Sequence, residues 1–236
     1  MPTPTRFPKG ITNVDANALM AQLPMPYPPA LLHTYFEDFD YYTAADWTIT
    51  RVGTTPTEAL TDVDNGVLLL TMAATDDSSS FLQKKGESFL PASGKKMFFE
   101  ARFTVSDATQ SDWVLGLQVT DTTPLDVTDG IYFQKDDGDT NIDFYVSKDA
   151  TTGRLTTTAF ATASAAGTYM RLGFYFDGKR YIYLYMDGVM VDKVDLTTTL
   201  ATYLPDTELT ISFGVQNGEA VAKTMSVDYI FAAKER

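Results

Sequence analysis

The sequence predicts an all-β protein built from two antiparallel sheets, packed as a sandwich or closed as a barrel. Three observations carry that prediction. Apolar and polar residues alternate with period two through most of the chain. X-Gly pairs of the kind that favour positive φ in tight turns punctuate it, at Asn65-Gly66, Asp129-Gly130, Asp177-Gly178, Asp187-Gly188 and Asn217-Gly218. No amphipathic stretch reaches the roughly ten residues of an ordinary helix.

The first 30 residues stand apart. Seven of the 11 prolines lie there, and each fixes φ, removes a donor and biases its predecessor towards extended geometry. Residues 1–30 therefore read as an extended, Pro-rich N-terminal arm, with room for a weak helical turn or two over residues 14–23. The arm carries Phe7, Ile11, Leu19, Met20, Leu23 and Tyr27, apolar groups on a segment too short to bury them alone. Arg6 and Lys9 are the only cations of the first 50 residues. Together these side chains form the expected partner-binding surface, facing a neighbouring subunit or another protein, the alternative being that the arm wraps its own sandwich domain.

Residues 31–236 read as one β-sandwich domain, a size such folds reach routinely. Alternation places Met97, Phe99, Ala101, Phe103 and Val105 on one strand face. It groups Trp113, Leu115, Leu117 and Val119, then Met170, Leu172, Phe174 and Phe176. Towards the C-terminus it groups Leu209, Ile211, Phe213 and Val215, then Met225, Val227, Tyr229 and Phe231. About fourteen strands are expected in all.

Composition excludes several chemistries. There is no cysteine and one histidine, His33, which removes disulfides, thiolate nucleophiles and Cys/His zinc sites. His33 reads as a junction residue before the first strand. A formal charge of −13 argues against nucleic acid, whose binding draws on lysine and arginine. The longest apolar run, residues 66–74, falls short of the ~18 residues of a membrane-spanning helix. The first ten residues lack an apolar core like that of a secretory signal, so synthesis in a cytoplasm is expected. No cofactor is expected.

Two constellations merit weighing. In KDDGDTNID, residues 135–143, Asp137, Asp139, Asn141 and Asp143 offer oxygen ligands for a calcium-like ion. The loop lacks the D-x-[DN]-x-[DN]-G spacing and sits between two strands, so a solvated hairpin tip is the expectation and a metal site the lesser reading. Tyr181, Tyr183 and Tyr185 share one strand face opposite Ile182, Leu184 and Met186. Cross-strand packing is the first expectation for these tyrosines, a protein interface the second and a glycan surface the third. Glu100 reads as a strand-face charge paired with Arg102.

The order of segments resembles that of concanavalin A-like, laminin-G-like jelly rolls. The resemblance rests on FEDFD with Trp47, on GKKMFFEARFTVSD followed by WVLGLQVTD, on the paired Asp-Gly hairpins of residues 171–195, and on the closing ISFGVQNGEAVAKTMSVDYIFAA. It covers residues 34–234. Some glucanases of that fold carry E-x-D-x-x-E on one strand, and no two glutamates here lie at that spacing. The resemblance extends to structural proteins of tailed bacteriophages, including capsid decoration proteins and fibres. It implies a non-enzymatic virion protein that binds the major capsid protein or another virion protein through its arm and self-associates as a trimer or dimer. The alternative it leaves is a carbohydrate-binding module.

Overall fold

The computed structural model describes residues 31–53, 55–61, 63, 66–149 and 155–236. The expected N-terminal arm lies outside the described residues, as does Asn65 of the first expected turn. Among the described residues fifteen strands, numbered in chain order, form two antiparallel sheets. One sheet has the order β13 (Val189–Asp195), β12 (Tyr181–Met186), β11 (Met170–Phe176), β6 (Met97–Val105), β15 (Thr224–Glu235), β4 (Leu68–Thr71) and β3 (Thr57–Leu60), with β1 (Leu32–Glu37) also paired to β15. The other runs β10 (Leu155–Thr162), β9 (Asn141–Ser147), β8 (Gly130–Lys135), β7 (Ser111–Gln118), β14 (Thr210–Asn217), β5 (Ser79–Lys84) and β2 (Trp47–Val52). The expected all-β, two-sheet antiparallel jelly-roll sandwich is the observed architecture. Among the described residues the longest helix is one turn, Leu200–Tyr203.

Alternation builds the core directly. The inward residues of β6, β7, β11 and β14 named from the sequence are almost all below 3% exposed. Aromatic rings join the layers: Phe103 of β6 meets Trp113 of β7 edge-on at 5.0 Å, and Phe174 of β11 lies 5.7 Å from Phe144 of β9. Such contacts add to the area buried, roughly 25 cal/mol for each Å² of apolar surface removed from water.

Strand β15 departs from the expected alternation. Its pairing with β6 shifts between Val227 and Tyr229, leaving Asp228 as an extra residue. A bulge exchanges the two faces of a strand beyond it. Met225 and Val227 accordingly point inward, followed by Ile230 and Ala232, all fully buried, while Tyr229 and Phe231 turn outward. The Asp228 carboxylate pairs with the Arg102 guanidinium, which also stacks over the Tyr169 ring at 4.3 Å. Arg102 is therefore not the partner of Glu100. Glu100 instead accepts a hydrogen bond from the Tyr229 hydroxyl at 2.7 Å.

The X-Gly pairs divide. Asp177-Gly178 and Asp187-Gly188 close the hairpins β11–β12 and β12–β13. In the first, the Asp177 carboxylate accepts the amides of Lys179, Arg180 and Tyr181 at 2.7–3.1 Å, and Gly178 takes φ +78°. Asp129-Gly130 and Asn217-Gly218 are not hairpin turns. The former ends a long segment joining β7 to β8, and the latter begins the crossing from one sheet to the other.

Candidate functional site

The outward face of the seven-stranded sheet is built by the residues that alternate with its core. Strand β7 buries Trp113, Leu115 and Leu117 and turns Asp112, Val114, Gly116 and Gln118 outward. Strand β8 presents Tyr132 and Gln134, and β9 presents Asp143 and Tyr145. Register then sets side chains beside one another. Val114, Gln134 and Asp143 form one cross-strand row, and Gly116, Tyr132 and Tyr145 the next. The Tyr132 and Tyr145 rings stack at 5.3 Å and 17°. Gly116 makes room for the first of them: a Cβ there would sit 2.6 Å from Tyr132 Cα.

The segment 119–129 folds back across this face as a strap. Its Leu125 and Val127 cover Phe81, Val114 and Tyr132, a small second core on the outside of the sheet. Buried glutamines hold it down. Gln83 donates to the Val119 carbonyl at 3.0 Å and accepts the Asp121 amide at 2.9 Å. Gln118 donates to the Pro124 carbonyl at 2.9 Å and accepts from the Ser212 hydroxyl at 2.6 Å. Satisfied buried networks of this kind rigidify what they touch.

Beside the strap the face stays open. A groove of about 280 Å³ has Phe81, Pro124 and Leu125 as apolar lining and Thr50, Ser79 and Gln216 as polar groups. Across the sheet, a second pocket of about 250 Å³ is lined by Asp136, Asp139, Asn141, Asp143, Thr158 and Ala159. Asp112 lies between the two, since its neighbours in the β14–β7 and β7–β8 registers are Gln216 and, one step past the Trp113–Lys135 pair, Asp136. Burial pushes the Asp112 carboxyl up to about 6; the charges of Asp137 and Asp136 add to the rise, and a hydrogen bond from the Asp137 amide opposes it.

The acidic hairpin tip is thus divided. Asp139, Asn141 and Asp143 share one pocket with Asp136, whereas Asp137 gives its amide to Asp112 and packs its side chain beside Gly218. Asp139 caps the turn, accepting the Asn141 amide and side chain at 2.7 and 2.9 Å. Asp143 accepts the Ala159 amide at 2.7 Å. Among the described residues, the acidic trio with metal-like spacing is elsewhere, at Asp129, Asp149 and Asp206. There the Lys148 ammonium lies 2.6 Å from Asp206.

The tyrosine stripe lies on the outside of the other sheet. Tyr183 stacks on Tyr175 at 5.8 Å, and Tyr175 on Phe98 at 4.8 Å, a ladder across three strands. Tyr185 is buried opposite Gly173, in a small cluster with Phe98, Tyr175 and Ala233. Tyr181 sits at the ladder's end between the cations of Arg180 and Lys193. Cross-strand packing accounts for these residues. His33 lies within β1, its Nε2 3.0 Å from the Ser88 hydroxyl. Arg6, Phe7, Lys9, Ile11, Leu19, Met20, Leu23 and Tyr27 lie outside the described residues.

The strap and the Asp112 neighbourhood were not foreseen from sequence as parts of a site. For the strap the sequence signal is the isolated pair Leu125 and Val127 within a polar loop. For Asp112 it is an acidic residue in phase with the outward face of a strongly alternating strand.

No protein-family description matches this sequence, and no curated protein matches it. Solved structures do match in fold. A protein of unknown function from Shewanella oneidensis MR-1 is 18% identical, with 87% of each chain covered and a TM-score of 0.58. An endo-1,3-β-glucanase from Streptomyces sioyaensis is 14% identical over 89% of this chain and 98% of its own, with a TM-score of 0.64. The carbohydrate recognition domain of Emp46p is 11% identical over 83% and 93%, with a TM-score of 0.54. These define the fold as a concanavalin A-like jelly roll. They also correct one expectation. A glucuronan lyase, a transglycosylase and a glycosidic hydrolase share the fold with the glucanase. These neighbours overturn the expectation of a non-enzymatic protein, which rested on the resemblance to virion proteins and on the missing glutamate spacing.

Proposed function

We propose that this chain recognises glycans, and that the ligand lies along the open part of the seven-stranded sheet's outward face. The observation that carries this reading is the groove beside the strap. It places the polar groups of Thr50, Thr122 and Gln216 next to the apolar surfaces of Val52 and Leu125, with Phe81 and Pro124 as its buried floor. A sugar ring offers the matching combination, apolar C–H surface ringed by hydroxyls, and a small number of placed polar groups supplies orientation. The carbohydrate-active and carbohydrate-binding proteins that share the fold support the same reading.

The test is a glycan array followed by isothermal titration calorimetry of any hit. Thr50→Trp, which fills the groove from the solvent side, should weaken binding at least tenfold. Lys193→Ala on the opposite sheet should leave it unchanged. An array without a hit overturns the proposal.

A second reading, glycan cleavage, has its own observation. Asp112 and Asp136 each lie one residue past the last registered β7–β8 pair, Trp113–Lys135, close enough for the Asp136 charge to act on the Asp112 carboxyl. A buried carboxyl able to hold its proton beside an exposed carboxylate is the pairing that glycoside hydrolysis uses. Release of reducing ends from a bound glucan, lost in Asp112→Asn, would support cleavage; binding without turnover would oppose it. Virion attachment through residues 1–30 is a separate proposal that rests on the resemblance to phage structural proteins and on the apolar, Pro-rich arm. Loss of particle association on deleting those residues would support it.

A further inference from the structure

We propose that the arm preceding β1 seats its last residues, 24–30, in an apolar groove of its own sandwich, lined by the loop 91–93 and the turn of helix Leu200–Tyr203. This inference is independent of the glycan reading and concerns the end of the sandwich where the described chain begins.

The groove, of about 360 Å³, has Pro91, Leu204 and Pro205 as its buried floor, with Ala92 and Leu200 half-buried and Ala201 exposed. Its charged lining residues, Lys148 and Asp206, are already paired with each other at 2.6 Å. The lining therefore suits an apolar, uncharged occupant.

Two sets of contacts bring the start of the chain to this groove. On one side, His33 of β1 packs its ring on Phe89 at 5.0 Å, two residues before Pro91. On the other, the Lys95 ammonium donates to the Arg236 carbonyl, and the Arg236 amide donates to the Leu31 carbonyl at 2.9 Å. The loop 91–93 is thus held at both ends beside residues 31–33. Leu31, where the arm enters, is an apolar residue 63% exposed.

The segment that arrives there matches the groove in chemistry and in length. Residues 24–30 read PMPYPPA, and residues 16–30 carry no charged side chain. Nothing in that stretch is repelled by the neighbouring carboxylates of Asp129, Asp149 and Asp206, the last of which lines the groove. Met25 and Tyr27 supply apolar side chains for the floor, and four prolines with φ already fixed lower the ordering cost of docking. At roughly 3.1 Å per residue, an extended run from residue 24 to the entry of β1 covers about 22 Å. Arg6, Phe7, Lys9 and Ile11 lie further along the arm and stay outside the seat, free to meet another protein.

The experiment is paramagnetic relaxation enhancement in the full chain, which has no cysteine of its own. A nitroxide on Thr202→Cys, an exposed position beside the groove, should at least halve the amide signals of Leu23, Met25 and Tyr27 relative to the reduced label. Met25→Ser combined with Tyr27→Ser, both outside the sandwich, should restore the signals of residues 23, 25 and 27. Undiminished signals in the arm without those two substitutions overturn the proposal. Broadening that survives the serine substitutions overturns it as well, because closeness of the chain's entry then explains the effect without a seat. A mixture of isotope-labelled chain lacking the nitroxide with nitroxide-bearing chain lacking the isotope should show no broadening. Broadening in that mixture gives the groove to the arm of a second copy and overturns seating within one chain.

Discussion

The main-chain amide of Asp137 donates to Asp112 Oδ1 at 2.6 Å, tying the acidic hairpin tip to the strand beside it. Through this bond a buried carboxyl on β7 is held against two further carboxyls, and its titration becomes part of the fold's stability.

For Asp112 the folded-state pKa, about 6, lies above the ordinary aspartate value. A carboxyl raised by folding contributes stability that is fully present below the unfolded pKa near 4 and is lost as pH rises through 6. Wild-type protein should therefore lose about 1–2 kcal/mol of this contribution between pH 4 and 7. Asp112→Asn should flatten that dependence and raise the melting temperature at pH 7 by a few degrees, about 2–4 °C per kcal/mol for a chain of this size. Thermal denaturation across that pH range checks it.

The strap depends on its small outer core. Val127 is 1% exposed against Val114 and Tyr132. Truncation to alanine removes two methyl groups and leaves a cavity, at a cost of about 2 kcal/mol. Urea denaturation of Val127→Ala should show this loss, with a lowered midpoint and an unchanged slope.

Gly116 tests the close approach of β7 and β8. A methyl group there would meet Tyr132 Cα at 2.6 Å, backbone rather than a yielding side chain. Gly116→Ala should cost about 1–3 kcal/mol and disturb the Tyr132–Tyr145 stack. Near-ultraviolet circular dichroism and urea denaturation report the two effects.

Asp228 separates a charge effect from a register effect. Asp228→Ala removes its ion pair with the partly exposed Arg102 and should cost only about 1 kcal/mol. Deleting Asp228 removes the bulge instead and drives Tyr229 and Phe231 into a core built for Ile230 and Ala232. The deletion variant should fail to give soluble folded protein, whereas the alanine variant should purify normally.

Much of the sandwich was legible because alternation reports which face a side chain takes. Met97 to Val105 and Leu209 to Val215 follow it without interruption, and their inward sets are the core. The bulge was not legible: MSVDYIFA alternates smoothly on paper, and the extra residue becomes visible only against β6. The site was less legible still. Alternation places Val114, Gln134 and Asp143 outward, but register makes them neighbours across a separation of nearly thirty residues, and register follows from pairing. The strap reads in sequence as a polar turn, since its two buried apolar residues make no periodic pattern. The acidic tip is a cluster in sequence, but its side chains point in two directions that composition does not distinguish.

The central claim is that a glycan lies on the outward face of the seven-stranded sheet, and nuclear magnetic resonance tests it most directly. In a titration of isotope-labelled protein with the tightest-binding oligosaccharide, the side-chain amides of Gln216 and Gln134 and the backbone amides of residues 122–126 should shift in a saturable way. Saturable shifts confined to the Tyr175–Tyr183 ladder on the opposite sheet, or none at any glycan concentration, would contradict the account.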